Sequence, residues 1–137
     1  MIVIDASITL AWFFEDERTP PVVAVNNAVG LSGAAVPALW RLEVANGFQM
    51  AMRRGRIDAA FRDASLVKLA RLLIEIDTET NIHAWGATLV LADKHKLTPY
   101  DAAYLELAQR RRVPLATLDR PLRSAAVNEG IAVFTAL

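Results

Sequence analysis

Short apolar runs alternate with helical patterns along the whole chain, and this alternation is the feature that most restricts its fold. Strands are predicted at residues 1–5, 34–39, 73–77 and 113–118, with a closing strand at 131–135. Helices are predicted near residues 7–14, 22–31, 41–55, 57–73, 81–95 and 99–112, with a short one after Pro121. Strands that alternate with helices are typical of a parallel sheet covered on both faces. We therefore predict a three-layer α/β/α fold with a central, mainly parallel sheet of four to five short strands.

The size of the chain limits it to one domain. With 137 residues, of which 54% are hydrophobic, the chain can bury one good core but not two. No apolar run is long enough to cross a bilayer, so we expect a soluble, cytoplasmic protein without a membrane partner. The absence of cysteine excludes disulfides, thiolate metal sites and a cysteine nucleophile. We predict a single domain over residues 1–137.

Charge is distributed unevenly although the net charge is zero. Acidic blocks at 1–52 and 72–109 alternate with basic blocks at 53–71 and 110–137. The two basic runs either are solvated helix ends, where cations suit the helix dipole, or form a basic rim for a polyanion. The rim candidates are Arg53, Arg54, Arg56, Arg110, Arg111 and Arg112.

Four acidic residues lie where predicted strands pass into helices. Asp5 and Asp119 follow the first and fourth strands, and Glu43 lies in the first turn after the second. Asp101 lies in the first turn of the helix that leads to the fourth strand. Ligands of parallel sheets bind beyond the carboxyl ends of the strands. If the strands around Asp5 are neighbours, the four carboxylates can converge.

Each of these acids also has a purely structural interpretation. Asp5 and Asp119 could be N-caps, Asp101 a capping-box partner of Thr98, and Glu43 a first-turn acid favoured by the dipole. Two carboxylates about 4 Å apart repel by roughly 4 kcal/mol at an effective dielectric constant near 20. A converged cluster would therefore need a cation. Oxygen ligands without cysteine or a suitable histidine favour Mg²⁺ or Mn²⁺, and the chemistry that follows is phosphodiester hydrolysis by a metal-bound water.

Four segments in this order resemble one known family. They are VIDAS (3–7), WRLEVAN (40–46), LTPYDAAYLELA (97–108) and PLATLD (114–119). The chain resembles the PIN-domain ribonucleases and, among them, the VapC-type toxins of toxin-antitoxin pairs. The resemblance implies that Asp5, Glu43, Asp101 and Asp119 are the catalytic, metal-binding quartet, with Asp5 and Asp101 foremost as direct ligands. It also implies supporting hydroxyls at Ser7 and Thr117, and Asn46 lies one turn from Glu43 on the same helix face.

The resemblance also implies partners. We expect an RNA substrate, a cognate antitoxin and a homodimer; the apolar helices at 19–31 and from Ile57 onward are the candidate antitoxin surface. Which RNA is cut stays open, and so does cleavage of DNA. Asp77 is a possible further acid near the site, whereas His83 and His95 are not predicted to be ligands.

Two other functions use similar features. A phospho-receiver domain also has a parallel sheet and clustered acids, but it needs adjacent acids after its first strand and a lysine after its last core strand. Here a single acid, Asp5, follows the first strand, and Asp119 stands where the lysine would be. A PIN fold that binds without catalysis is the other alternative, against which the complete acidic quartet argues.

Overall fold

A four-stranded sheet forms the middle layer of the protein, with helices on both sides. The computed structural model describes residues 1–134. In chain order the elements are β1 (Ile2–Ile4), α1 (Ala6–Ala11), a 3₁₀ turn (Glu15–Glu17), α2 (Pro20–Ser32), β2 (Ala34–Val36), α3 (Trp40–Arg53), α4 (Ala59–Ala70), β3 (Ile74–Ile76), α5 (Thr80–His83), α6 (Ala87–His95), α7 (Pro99–Arg111), β4 (Leu115–Ala116) and α8 (Arg120–Asn128). The predicted three-layer α/β/α architecture is confirmed.

All strands of the sheet are parallel, and their spatial order is β3-β2-β1-β4. The chain moves from β1 to β2 and β3 on one side and returns to place β4 on the other side of β1. Val3 is paired with both Ala35 and Leu115, and all three are fully buried. The direction of the strand order therefore reverses between β1 and β4. In open parallel sheets, a crevice forms at such a reversal, beyond the carboxyl ends of the two strands.

Several element boundaries differ from the prediction. The helix predicted at 81–95 is divided into α5 and α6 by a turn that ends at Gly86, because glycine weakens a helix interior. Helix α2 starts at Pro20, two residues early, since proline is well suited to the first turn. The closing strand at 131–135 is reduced to one parallel bridge between Val133 and Leu115, and its last residue, Thr135, lies outside the described residues.

Helix α7 is the central helix of the fold. Its residues 102–108 are all buried, and it packs against β1, β4, α6 and α8. This position holds Asp101, in the first turn of the helix, close to the carboxyl ends of β1 and β4. Within residues 1–134, none of the helices has both the length and the apolar character needed to cross a bilayer.

Candidate metal-dependent active site

Asp5 lies at the centre of the candidate site. It follows β1 directly, is 4% exposed, and caps α1. Its Oδ1 accepts hydrogen bonds from Ser7 Oγ at 2.6 Å and from the Ile8 backbone N–H at 3.0 Å. Its Oδ2 accepts a short hydrogen bond from the Thr117 hydroxyl, which follows β4. These bonds fix the carboxylate across the crevice between β1 and β4, and they place both predicted hydroxyl residues against it.

Helix α3 presents Glu43 to the same site. Gly47 allows α1 and α3 to pack closely, because a Cβ atom there would lie 2.2 Å from Leu10 Cδ1. A second link between the helices is a relay in which Trp40 Nε1 donates to Thr9 Oγ1 at 3.1 Å, and Thr9 Oγ1 donates to the Asp5 carbonyl oxygen at 2.7 Å. The first turn of α3, which contains Glu43, is thereby anchored to the backbone of Asp5.

The structural interpretation of the acids agrees with the local geometry. Asp119 caps α8, since its Oδ2 accepts a hydrogen bond from the Leu122 N–H at 2.9 Å, and Asp5 caps α1 as described above. Thr98 caps α7, as predicted, with its Oγ1 accepting from the Asp101 N–H at 3.1 Å, and Glu43 lies in the first turn of α3. Capping and membership of a site are therefore compatible here, because the capping acids lie at the sheet edge that forms the crevice.

The pKa values of three of the acids are affected by the charges of the others. Burial raises the pKa of Asp5, despite the hydrogen bonds from Ser7 and Thr117, and the charge of Asp101 raises it further. Burial also raises the pKa of Glu43, with contributions from Asp101 and Asp5. The pKa of Asp101 is raised by burial and by the charge of Asp119. Each raised pKa reports negative charge that the surroundings do not fully compensate.

Within residues 1–134, no basic side chain forms a salt bridge with this cluster. Among residues 1–134, Lys, Arg and His form salt bridges with other acids but with none of the four carboxylates of the predicted quartet. The donor set consists of carboxylate oxygens, with the Ser7 and Thr117 hydroxyls beside them. In chemistry and in charge, these residues fit a hard divalent cation such as Mg²⁺.

Suitable chemistry does not by itself mean that the side chains are positioned to hold an ion. In the described part of the chain, no three histidine or acidic side chains are arranged so that they could hold one metal ion as they stand. Asp5, Glu43 and Asp119 each accept a hydrogen bond from a donor of their own, and Asp119 is directed to the N-terminus of α8. Mutual repulsion of the carboxylates favours their separation when no cation is bound.

The predicted rim residues are divided between two environments. A groove of about 400 Å³ leads away from Ser7 and Asp119 and is also lined by Arg54 and Arg56. Arg56 forms salt bridges there with Asp16 at 3.0 Å and Glu17 at 3.3 Å. Of the predicted rim, Arg54 and Arg56 therefore lie in a groove continuous with the acidic cluster.

Arg110 and Arg111 lie elsewhere, in a salt-bridge cluster around Asp77. The Asp77 side chain is 1% exposed, and its oxygens lie 2.6 Å from Arg110 Nη2 and 3.2 Å from Arg111 Nη2. Arg110 also contacts Glu106 at 2.8 Å. Asp77 is thus an acid whose charge is already paired, so its surroundings differ from those of the quartet.

The remaining predicted residues are peripheral. Asn46 is exposed, and its Nδ2 lies 3.8 Å from Met50 Sδ. His83 contacts Glu79 at 3.4 Å, and His95 contacts Glu129 at 2.6 Å. Both histidines are thus paired with acids outside the quartet.

Sequence reasoning missed three residues that support the site. Tyr104 donates a hydrogen bond from its hydroxyl to Glu43 Oε1 at 2.6 Å, and Thr9 and Trp40 form the relay to the Asp5 backbone. Tyr104 follows Asp101 by three residues, a spacing that places both on one face of α7 and could have indicated it. The relay joins residues 31 apart and has no local sequence signal.

Comparison with known proteins agrees with this fold. The PIN domain family profile matches residues 2–128, so the chain belongs to the PIN domain family. It is 33% identical over 126 residues to ribonuclease VapC3 of Pyrobaculum aerophilum, covering 88% of this chain and 91% of that protein. The resemblance to VapC-type PIN proteins is therefore confirmed.

Two solved structures share the fold. One is PAE2754 of Pyrobaculum aerophilum, with a TM-score of 0.67, 23% identity, and coverage of 90% of this chain and 83% of that one. The other is FitAcB of Neisseria gonorrhoeae, with a TM-score of 0.63, 18% identity, and coverage of 98% and 97%. At these identities, the two structures support the fold alone.

Proposed function

We propose that the protein is a Mg²⁺-dependent endoribonuclease that acts as the toxin of a toxin-antitoxin pair. The observation that carries the proposal is the cluster of Asp5, Glu43, Asp101 and Asp119 around the crevice between β1 and β4. Three of these acids have raised pKa values, and within residues 1–134 none has a basic partner. A buried negative cluster of this kind is stabilised by a cation. The relationship to a protein named ribonuclease VapC3 supports RNA as the substrate.

In this proposal, the four carboxylates hold Mg²⁺ or Mn²⁺, with Asp5 and Asp101 as the principal ligands. When bound, such an ion supplies a water of lowered pKa and stabilises charge on phosphate oxygens. The residues of the chain position these carboxylates. The Ser7 and Thr117 hydroxyls and the Ile8 N–H hold Asp5 rigidly, while Asp101 and Glu43 come from helices anchored next to it.

The groove lined by Arg54 and Arg56 is the proposed path of the RNA backbone. Phosphates are attracted to guanidinium groups and repelled by carboxylates, so a groove that is basic away from the site and acidic at the site would orient the strand. Arg53 precedes Arg54 at the end of α3 and is exposed. Arg56 is paired with Asp16 and Glu17. Arg110 and Arg111 are likewise paired with acids. Arg53 and Arg54 are therefore the principal rim candidates, and Arg112 is the alternative.

An antitoxin is the proposed protein partner, and it would bind where apolar side chains remain exposed. A groove of about 470 Å³ between α2 and α4 is lined by Phe13 and Phe61. Phe61 and Val67 on α4 are 41% and 53% exposed, and Leu31 on α2 is 90% exposed. Apolar surface of this kind marks a protein interface. Self-association as a homodimer and action in the cytoplasm complete the proposal.

The test is cleavage of RNA by the purified protein. Total RNA is incubated with the protein in EDTA, in Mg²⁺ and in Mn²⁺, and the new ends are mapped. We expect cleavage at defined positions that needs the divalent ion and stops when the ion is chelated. Cleavage that persists in EDTA would overturn the metal mechanism, and RNA binding without cleavage in any ion would instead support a binding module.

A further inference from the structure

A tyrosine that the sequence analysis did not select contacts the acidic cluster from inside the core. Tyr104 lies on α7 one turn after Asp101, and it is 1% exposed. Its hydroxyl donates a hydrogen bond of 2.6 Å to Oε1 of Glu43, which lies on α3. The bond therefore joins the two helices that carry Asp101 and Glu43.

The acceptor that the Tyr104 hydroxyl contacts indicates a role beyond satisfying a buried hydroxyl. A buried tyrosine hydroxyl needs an acceptor, and a backbone carbonyl would be sufficient. Tyr104 instead donates to a half-buried carboxylate that also senses the charges of Asp101 and Asp5. A hydrogen bond to an ionised acceptor is short and strong. The hydroxyl thus forms a short hydrogen bond to one oxygen of Glu43 and links α7 to this carboxylate.

The bond also restricts the orientation of Glu43. A glutamate side chain has three rotatable bonds and many available rotamers. Within residues 1–134, the Tyr104 hydroxyl is the one side-chain donor found on this carboxylate, and it contacts Oε1. Fixing Oε1 leaves Oε2 available to another partner. In contrast, Asp5 has donors on both oxygens.

We propose that Tyr104 is a positioning residue for Glu43: it fixes Oε1 and leaves Oε2 free for a divalent cation. This inference rests on the proposed function, because it assigns Glu43 to the metal site. Tyr104 itself touches neither metal nor RNA. Groups that orient metal ligands in this way commonly affect metal affinity or activity by about 10- to 100-fold.

The test compares Tyr104→Phe with Tyr100→Phe. Both substitutions remove one phenolic oxygen from α7, but Tyr100 is 63% exposed and has no hydrogen bond from its hydroxyl within the described residues. Mn²⁺ affinity is measured by calorimetry without RNA, and kcat and KM are measured on the RNA that the wild type cleaves. We expect Tyr104→Phe to weaken Mn²⁺ binding and to lower kcat, each about tenfold, with KM nearly unchanged. Tyr100→Phe should match the wild type.

A double-mutant cycle shows whether Tyr104 acts through Glu43. In a Glu43→Gln background, Tyr104→Phe should cause no further loss of Mn²⁺ affinity, and an additive loss would overturn the proposal. A Tyr104→Phe protein that melts lower but keeps wild-type Mn²⁺ affinity and kcat would show a purely structural tyrosine and would also overturn it. Failure of the wild type to bind Mn²⁺ or cleave RNA would instead refute the proposed function, and this inference with it.

Discussion

Asp5 and Asp77 occupy equivalent places in the sheet but have opposite electrostatic surroundings. Each follows a parallel strand directly, β1 or β3, and each is almost completely buried, at 4% and 2% exposure. Burial raises the pKa of both carboxyls. For Asp77, hydrogen bonds and charges from Arg110 and Arg111 outweigh burial and lower its pKa, whereas the pKa of Asp5 remains raised.

This difference distinguishes Asp77, an acid with a structural ion pair, from Asp5, an acid without a basic partner within residues 1–134. Asp77 forms ion pairs that tie β3 to the end of α7, so its charge is neutralised by the fold itself. Asp5 receives hydrogen bonds from hydroxyls and a backbone N–H, which orient it without neutralising it. Position at the carboxyl end of a strand therefore does not by itself define a site. The absence of a basic partner within residues 1–134 is what distinguishes the quartet from Asp77.

The largest expected effect is on catalysis at Asp101. Asp101→Asn keeps a polar side chain but removes the charge that a hard cation needs. We expect RNA cleavage to fall by at least about a hundredfold and Mg²⁺ or Mn²⁺ affinity to fall as well, with the fold intact. Asp93→Asn is the matched control, because Asp93 is an exposed acid on α6 outside the cluster. An Asp101→Asn protein that cuts RNA and binds metal normally would remove the proposed distinction between the two regions.

The second effect is on stability at Asp77. Asp77→Asn leaves Arg110 and Arg111 without their buried partner, although Arg110 keeps Glu106 and Arg111 keeps Glu75. Complete loss of one partner of a buried pair costs about 3–5 kcal/mol, and the remaining partners should reduce the cost to about 2 kcal/mol. Urea unfolding measures this, with cleavage per folded molecule expected to be unchanged.

Glu79→Gln is the control for this experiment. Glu79 lies 3.7 Å from Arg110 at the surface, with 51% of its side chain exposed, so its removal should cost under about 0.5 kcal/mol. If Asp77→Asn were as stable as Glu79→Gln but inactive, Asp77 would belong to the site and the comparison drawn above would be wrong.

The order of elements could be predicted from sequence because each strand is a short apolar run between helical patterns. Helix α7 shows where this reasoning is strongest, since Thr98 and Pro99 mark its start and Arg112 ends it with a positive φ of 56°. The closing strand was harder to place. Its pairing with β4 depends on tertiary contacts, and within residues 1–134 Val133 alone forms a bridge.

The acids of the candidate site could be selected because each lies at a junction of elements, and junctions are visible in sequence. Their charge balance could not be predicted. Asp77 and Arg110 are 33 residues apart, and only folding shows that they pair. For the same reason the role of Tyr104 could not be predicted, because it contacts Glu43, which lies 61 residues away in the sequence. Local patterns locate polar groups at a sheet edge, but long-range pairing decides which of them remain available.

The third prediction concerns the dependence of stability on pH without metal. Asp5, Glu43 and Asp101 have raised pKa values in the folded protein. The folded state therefore binds more protons than the unfolded state above the ordinary carboxyl range, and the stability due to these groups falls as pH rises through the raised values. In EDTA, Asp101→Asn should show a weaker fall as pH rises above the ordinary carboxyl range and should be more stable than the wild type at neutral pH.

Melting temperatures of the two proteins across this pH range provide the measurement. Mg²⁺ should raise the melting temperature of the wild type more than that of Asp101→Asn, because the ion binds the folded state. Parallel pH curves for the two proteins would show that Asp101 is not part of a repelling cluster.

The smallest effect is expected at the proposed basic rim, where exposed charges act through a screened field. Arg53→Gln and Arg54→Gln together remove two exposed charges, and Arg54 lines the groove that reaches Asp119. Each lost phosphate contact should reduce the slope of log affinity against log salt by about 0.7 to 1.

Arg112→Gln is the control, since Arg112 is exposed at the end of α7 on the other basic run. Binding of RNA to the cleavage-deficient Asp101→Asn protein, measured at several salt concentrations, gives the slopes. Equal slopes in all variants would exclude this groove as the RNA path, whereas a loss confined to Arg112→Gln would assign the rim to the run at 110–112.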